Sequence, residues 1–236
     1  MNKIQTVGTF RFAEKQGRGD KLIFVFTAMG TKIGVYRPFL KLLNLRGFSY
    51  VVYDYSLSVV HSGDFELWEQ HFYELIEHAQ GKLGEYEKRG ATKIYSYGIS
   101  MGTLMANRLA RETPQISHVV LNLTYGDIAD NIWVYRGVSK AKESVIARGL
   151  SKEDLRRAVK YIDPIYNAES LRGKKVMLFL ARRDKVLLNE QTQFTKKAFE
   201  DAGLDMVYVE NKYLGHFTAG SKNMFQIRRL EKFFNS

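Results

Sequence analysis

Gly98-Ile99-Ser100-Met101-Gly102 stands directly between two segments of opposite character. Lys93-Ile94-Tyr95-Ser96-Tyr97 is rich in β-branched and aromatic side chains and predicts a strand. Residues 101–112, ended before Pro114, predict a helix. A strand that becomes a helix within a residue or two must turn sharply, and G-x-S-x-G is the pattern such a turn requires. Side chains two residues before and two after the serine would collide with neighbouring backbone, so both positions are glycine. The serine is held in a strained conformation with its Oγ above the sheet. The start of the helix points free N–H groups and the positive end of its dipole at the same spot.

The rest of the chain keeps a strand–helix rhythm. Residues 5–12 predict an edge strand, and Leu22-Ile23-Phe24-Val25-Phe26 a strand buried on both faces. Pro38 opens a helix that Gly47 closes. Tyr50–Tyr53 is the next strand. Over residues 65–88, Phe65, Trp68, Phe72, Leu75, Ile76, Ala79, Leu83 and Tyr86 recur at helical spacing, with Ser62 or Asp64 as the cap. Strands follow at 118–123, 176–180 and 206–210, and helices at 190–202 and 221–234. Strands on the pattern of full burial argue for an α/β architecture: a mostly parallel central sheet with helices on both faces. Residues 127–170 are polar, basic and mostly helical. They are too long for a bare loop and are expected to form a small helical cap insertion within one domain spanning 1–236.

Two further residues fall into line with Ser100. Asp184 lies just beyond the 176–180 strand, and His216 follows the 206–210 strand in Leu214-Gly215-His216-Phe217. All three would project at the carboxyl ends of strands, where open α/β sheets bind ligands. The three follow one another in the chain order Ser, Asp, His. Asp127, after the 118–123 strand, is a rival acid, and Asp130 a weaker one. His61, His71, His78 and His118 occupy a loop, a helix and a strand start, and compete poorly with His216. With no cysteine in the chain, a covalent nucleophile must be an oxygen, and disulfides and thiolate metal sites are excluded. No metal-ligand spacing and no phosphate-binding glycine loop is present, so neither metal nor cofactor is expected.

From about residue 20 to the end, the sequence resembles the α/β-hydrolase superfamily, through the Ser100 elbow, the Ala181-Arg182-Arg183-Asp184-Lys185-Val186 turn and the Gly215-His216 pair. It is most similar to compact serine hydrolases with a small helical cap: esterases, acyl-thioesterases and related lipases. The resemblance implies a Ser100–His216–Asp184 triad acting on an ester or thioester through an acyl-enzyme. It also implies an oxyanion hole from the backbone N–H groups of Met101 and Met29. Where the family usually carries a His-Gly pair, this chain has Thr27-Ala28-Met29-Gly30. Tyr36, Tyr125, Trp133 and Tyr135 are candidates to line an acyl pocket.

The formal net charge is +11. Residues 101–189 hold most of it, with 16 Lys and Arg against 9 Asp and Glu. No basic run is long enough for a nucleic-acid arm, so nucleic acid is not an expected partner. Arg136, Lys140, Lys142, Arg148, Arg156 and Arg157 would overhang the Ser100 pocket. They suggest an alternative: a thioesterase or acyltransferase docking an acidic carrier, acyl carrier protein or a coenzyme A thioester. A non-catalytic binder on a hydrolase scaffold is the further alternative, motivated by the altered 27–30 turn. The N-terminal segment lacks the apolar core of a secretory signal, and no stretch approaches a membrane span; a cytoplasmic protein is expected.

Overall fold

A computed structural model describes residues 4–187 and 189–236; Met1–Lys3 of the N-terminal segment and Leu188 lie outside the described residues. Eight strands form one sheet: β1 Gln5–Val7, β2 Phe10–Lys15, β3 Lys21–Phe26, β4 Ser49–Tyr55, β5 Lys93–Ile99, β6 Ile116–Asn122, β7 Lys175–Ala181 and β8 Asp205–Asn211. Their spatial order is β1-β2-β4-β3-β5-β6-β7-β8. β2 runs antiparallel to both β1 and β4, and every other pair is parallel. Parallel strands need crossover connections, and α1 Arg37–Leu45 joins β3 to β4, α3 Phe65–Glu87 joins β4 to β5, α4 Gly102–Glu112 joins β5 to β6 and α8 Asn189–Asp201 joins β7 to β8.

Strand side chains alternate between two cores, as a period of two demands. Leu22, Phe24 and Phe26 of β3 pack on one face with Trp68, Phe72 and Leu75 of α3 and Leu104 of α4. Ile23 and Val25 of the same strand pack on the other, against Phe39, Leu40 and Leu43 of α1. That face is completed by Leu230, Phe233 and Phe234 of α10 Ile227–Phe234. Asp64 caps α3, its carboxylate accepting from the Leu67 N–H at 3.1 Å.

Between β6 and β7 the chain is helical, as its composition predicts: α5 Ile128–Val134, α6 Ser139–Ala147, α7 Lys152–Val159 and short 3₁₀ turns. α6 and α7 pack against α5, α6 reaches α2 Leu57–His61, and α7 reaches α3. Asp163 ties the two ends of this segment together. Its carboxylate accepts from the N–H groups of Ile128 at 2.8 Å, Ile165 at 3.1 Å and Asp127 at 3.3 Å.

Three expectations are corrected. Residues 5–12 are not one edge strand: Gly8, at φ +52°, turns the chain into the β1–β2 hairpin. The 221–234 helix is two, α9 His216–Met224 and α10, broken at Phe225-Gln226. No breaker residue marks that point; the chain bends because α9 lies over the strand ends while α10 returns beneath the sheet. β8 is not fully buried but is an edge strand with Val207 and Tyr208 exposed.

Candidate active site

The site begins with Ser100, whose φ of +52° puts it in the left-handed region. Strain of this kind costs a non-glycine residue roughly 1–3 kcal/mol and persists only where surroundings enforce it. They do so here. The Ser100 N–H donates to the Asn122 carbonyl at 2.9 Å, and its carbonyl accepts from the Thr103 N–H at 2.8 Å and the Thr103 hydroxyl at 2.6 Å. A Cβ on Gly98 would fall 2.4 Å from the Gly102 carbonyl oxygen, and one on Gly102 2.3 Å from that of Phe26. Both glycines are therefore needed for close backbone approach.

Asp184 sits in the loop after β7. One carboxylate oxygen accepts from the N–H groups of Val186 at 2.8 Å and Leu187 at 2.9 Å. The other faces His216 Nδ1 at 2.7 Å. The neighbouring arginines do not compete for it. Arg182 pairs with Glu210 at 2.8 Å, and Arg183 lies over the Tyr213 ring. His216 opens α9, and its Nε2 lies 3.0 Å from Ser100 Oγ. The structure thus brings together the three side chains singled out in the sequence, each no more than 9% exposed. With Nδ1–H donated to the carboxylate, Nε2 is left as an acceptor aimed at a hydroxyl, which is the arrangement that can draw a proton from it.

The rival acid is occupied elsewhere. Asp127, at φ +51°, caps α5 by accepting from the Asp130 N–H at 3.0 Å and pairs with Arg156 at 3.2 Å. Asp130 pairs with Lys152 and Arg156. Of the other histidines, His71 meets the Thr9 hydroxyl, His78 lies 3.1 Å from the Tyr53 hydroxyl and His118 2.8 Å from that of Ser117. None of them touches Ser100.

Asparagines unnoticed in the sequence hold α9 in place. Asn122, at the end of β6, donates to the Gly220 carbonyl and to the Tyr97 hydroxyl, both at 3.0 Å. Asn223 donates to Asn122 at 2.8 Å, and Asn211, at the end of β8, donates to Asn223 at 2.9 Å. Gly220 and Asn223 lie on the same helical face as His216, one and two turns on. A lone asparagine carries no sequence signal for this; only three strand or helix ends meeting in space reveal it.

Two tyrosines position the 27–31 turn. The Tyr55 hydroxyl donates to the Thr27 carbonyl at 2.8 Å, and the Tyr36 hydroxyl accepts from the Ala28 N–H at 2.9 Å. Burial raises both phenols above their ordinary pKa, so they stay protonated. Among the described residues, neither the Met29 nor the Met101 N–H has a hydrogen-bond partner.

Two cavities meet at Ser100. A slot runs beneath α5–α7, walled by buried apolar side chains such as Val60, Trp68, Phe72, Ile132 and Val159. A vestibule opens on the other side, lined by Val35, Tyr36, Leu123, His216 and Phe217. Met29, Ser100, Tyr135 and Val186 line both. Tyr125 and Tyr135 line the slot, and Tyr36 and Tyr135 the vestibule. Trp133 does not line either cavity; it packs under Lys142.

The basic overhang is partly neutralised. Arg148 pairs with Asp64 at 2.9 Å, Arg156 with Asp127, Asp130 and Glu153, and Arg157 with Asp154. Among the described residues Arg136, Lys140 and Lys142 have no acidic partner. Arg136 shares a third hollow with Lys185, Asn131 and Tyr135 beside the slot. No group of three or more His, Asp or Glu side chains among the described residues is placed to hold a metal ion. No helix among them is long and apolar enough to cross a membrane.

No family model matches the chain, and no curated protein matches it. Solved structures do. The chain superposes on the acylaminoacyl peptidase of Pyrococcus horikoshii with a TM-score of 0.71 at 15% identity, covering 98% of this chain but 40% of that one. It therefore spans about two fifths of that protein's length. An acetyl xylan esterase from Paenibacillus sp. R4 gives a TM-score of 0.71 at 14% identity, covering 96% of this chain and 80% of the esterase. An esterase of Pyrococcus furiosus gives 0.66 at 14% identity, covering 99% and 91%. At such identities the likeness is one of fold. The chain has the α/β-hydrolase fold.

Proposed function

We propose that this chain is a serine hydrolase that cleaves a carboxylic ester or thioester through an acyl-enzyme on Ser100. The observation that carries the proposal is the unbroken relay at a strained turn: Ser100 Oγ to His216 Nε2 at 3.0 Å, and His216 Nδ1 to Asp184 at 2.7 Å. His216 takes the hydroxyl proton as Ser100 Oγ attacks the carbonyl carbon. The oxyanion that forms lies between the Met29 and Met101 N–H groups, which the fold leaves without partners; a donor so placed contributes on the order of 10²–10³ in rate. The bond to the leaving oxygen or sulfur then breaks, and His216 returns its proton to that atom. Water attacks the acyl-enzyme with His216 again as base, releasing the acid and restoring Ser100. Asp184 keeps the imidazole in the tautomer with hydrogen on Nδ1 and stabilises its cation.

A second reading rests on Arg136 and Lys185, which line one hollow beside the reaction cavities without an acidic partner among the described residues. An acidic leaving group, such as a coenzyme A thioester or an acyl carrier protein, would dock there. Turnover of such a thioester should fall steeply with salt while that of a neutral ester changes little. The test of the main proposal is labelling with a fluorophosphonate probe. The folded protein should be labelled at Ser100, and Ser100→Ala should be neither labelled nor active. A folded, unlabelled protein would instead make the chain a binder on a hydrolase scaffold.

A further inference from the structure

The two cavities that meet at Ser100 differ in one respect that bears on substrate orientation. His216 lines the vestibule and does not line the slot. In the cleavage step the leaving oxygen or sulfur must take its proton from His216 Nε2, so the leaving group has to lie on the side that His216 lines. The carbonyl oxygen is directed at the Met29 and Met101 N–H groups. The only direction left for the acyl substituent is into the slot. Resting on the hydrolase reading above, we infer that the slot is the acyl-chain site and the vestibule the leaving-group site. The substrate class is then esters or thioesters of apolar aliphatic acids.

The wall chemistry fits that occupant. Val60 comes from α2, Trp68 and Phe72 from successive turns of α3, Leu104 from α4, and Ile132 and Val159 from α5 and α7. All are buried. The polar groups near this wall are partly engaged with the protein: Trp68 Nε1–H donates to the Val59 carbonyl at 2.6 Å, and Asn131 donates to the Val186 carbonyl at 2.9 Å. A chain of methylenes would meet apolar surface along this wall, while a charged or heavily hydroxylated acyl group would lose its hydration for too few partners. None of the six wall residues named here lines the vestibule. The slot is walled by helices of the 127–170 segment on one side and by α3 on the other, so chain length is read jointly by both.

The experiment compares two substrate series on the intact protein. In p-nitrophenyl esters the acyl chain is lengthened from acetyl to dodecanoyl; in acetate esters the alcohol is lengthened instead. The acyl series should gain about fourfold in kcat/KM per methylene until the slot is full, then fall. The alcohol series should change less than twofold per methylene. Val159→Phe should move the acyl optimum to shorter chains. Phe72→Ala, which removes wall atoms, should move it to longer ones and carries the comparison if Val159→Phe does not fold. Fluorophosphonate labelling is run alongside. Labelled, active protein with a flat acyl series, or with the gain confined to the alcohol series, would overturn this inference and leave the hydrolase proposal standing. Protein that is folded but not labelled would overturn both.

Discussion

Asp184→Asn replaces one oxygen of the relay's acid with an NH₂ group, and the surroundings dictate which one. One carboxylate oxygen receives two backbone N–H groups, from Val186 and Leu187 at 2.8 and 2.9 Å. Turning the amide NH₂ toward them would leave two buried donors facing a donor, at roughly 1–3 kcal/mol each. The amide therefore keeps its oxygen there and presents NH₂ to His216 Nδ1. That nitrogen must now accept, which moves the ring proton to Nε2, 3.0 Å from Ser100 Oγ. An Nε2–H can only donate to the serine and cannot take its proton. Restoring the working tautomer requires the unfavourable flip, at about 2–6 kcal/mol for the two donors together. A loss of about 10⁴ in kcat, near 5 kcal/mol, lies within that range.

The assay is steady-state hydrolysis of a p-nitrophenyl ester by wild type, Asp184→Asn and Asp127→Asn, with the rate of fluorophosphonate labelling measured in parallel. Asp184→Asn should lose turnover and labelling together while unfolding as one cooperative transition. Asp127→Asn should keep turnover within about twofold, because asparagine caps a helix as well as aspartate does and also tolerates the left-handed conformation. If Asp184→Asn retains more than a tenth of wild-type kcat, the tautomer argument is wrong. If Asp127→Asn is the variant that fails, the acid has been misassigned.

Ser100→Gly should be more stable than Ser100→Ala by about 1 kcal/mol in urea denaturation, because only the alanine keeps a Cβ in the left-handed region; both should be inactive. Gly102→Ala drives a Cβ against the Phe26 and Thr27 carbonyl oxygens, at 2.3 and 2.6 Å. It should cost about 2–3 kcal/mol and abolish turnover by shifting the end of β3 and the turn that carries Met29. Burial raises the Asp163 pKa to about 6 from 3.8. Its folded carboxyl takes up a proton before the unfolded one does. Wild type should therefore gain stability relative to Asp163→Asn as pH falls from 6 to 4, by roughly 2 kcal/mol. Burial acts on His71 in the opposite sense, lowering its pKa to about 4 from 6.5. The unfolded chain binds that proton first, so wild type should lose roughly 3 kcal/mol relative to His71→Gln between pH 6.5 and 4. Urea titrations at several pH values read both slopes.

The Ser100 turn was the most legible part of the chain because its determinants are local. Two glycines, a serine and the change of periodicity around them lie within twenty residues. Asp184 and His216 were legible for a related reason: each follows an apolar run whose end places it on the same side of the sheet. What the sequence could not convey were contacts between distant segments. Arg148 looked like a free cation until Asp64, 84 positions away, was found beside it. Trp68 and Phe72 read as the inner face of α3, which they are; that a slot remains beside them depends on how α7 packs against α3. The break at Phe225-Gln226 has no glycine or proline to announce it. It follows from α9 being held at the strand ends while α10 packs on the sheet face that α1 also covers. The +11 charge narrows to a local question, since three of the six cationic side chains singled out between α5 and α7 have acidic partners.

The clamp behind His216 is made of neutral amides. Asn122, Asn211 and Asn223 join the ends of β6, β8 and α9 through uncharged hydrogen bonds. Amides neither gain nor lose protons across the range in which proteins stay folded, and salt does not screen them. The bearing on which the imidazole is mounted should therefore keep its alignment in acid, in alkali and at high ionic strength. A pH–rate curve for this chain should then carry no contribution from the titration of this clamp.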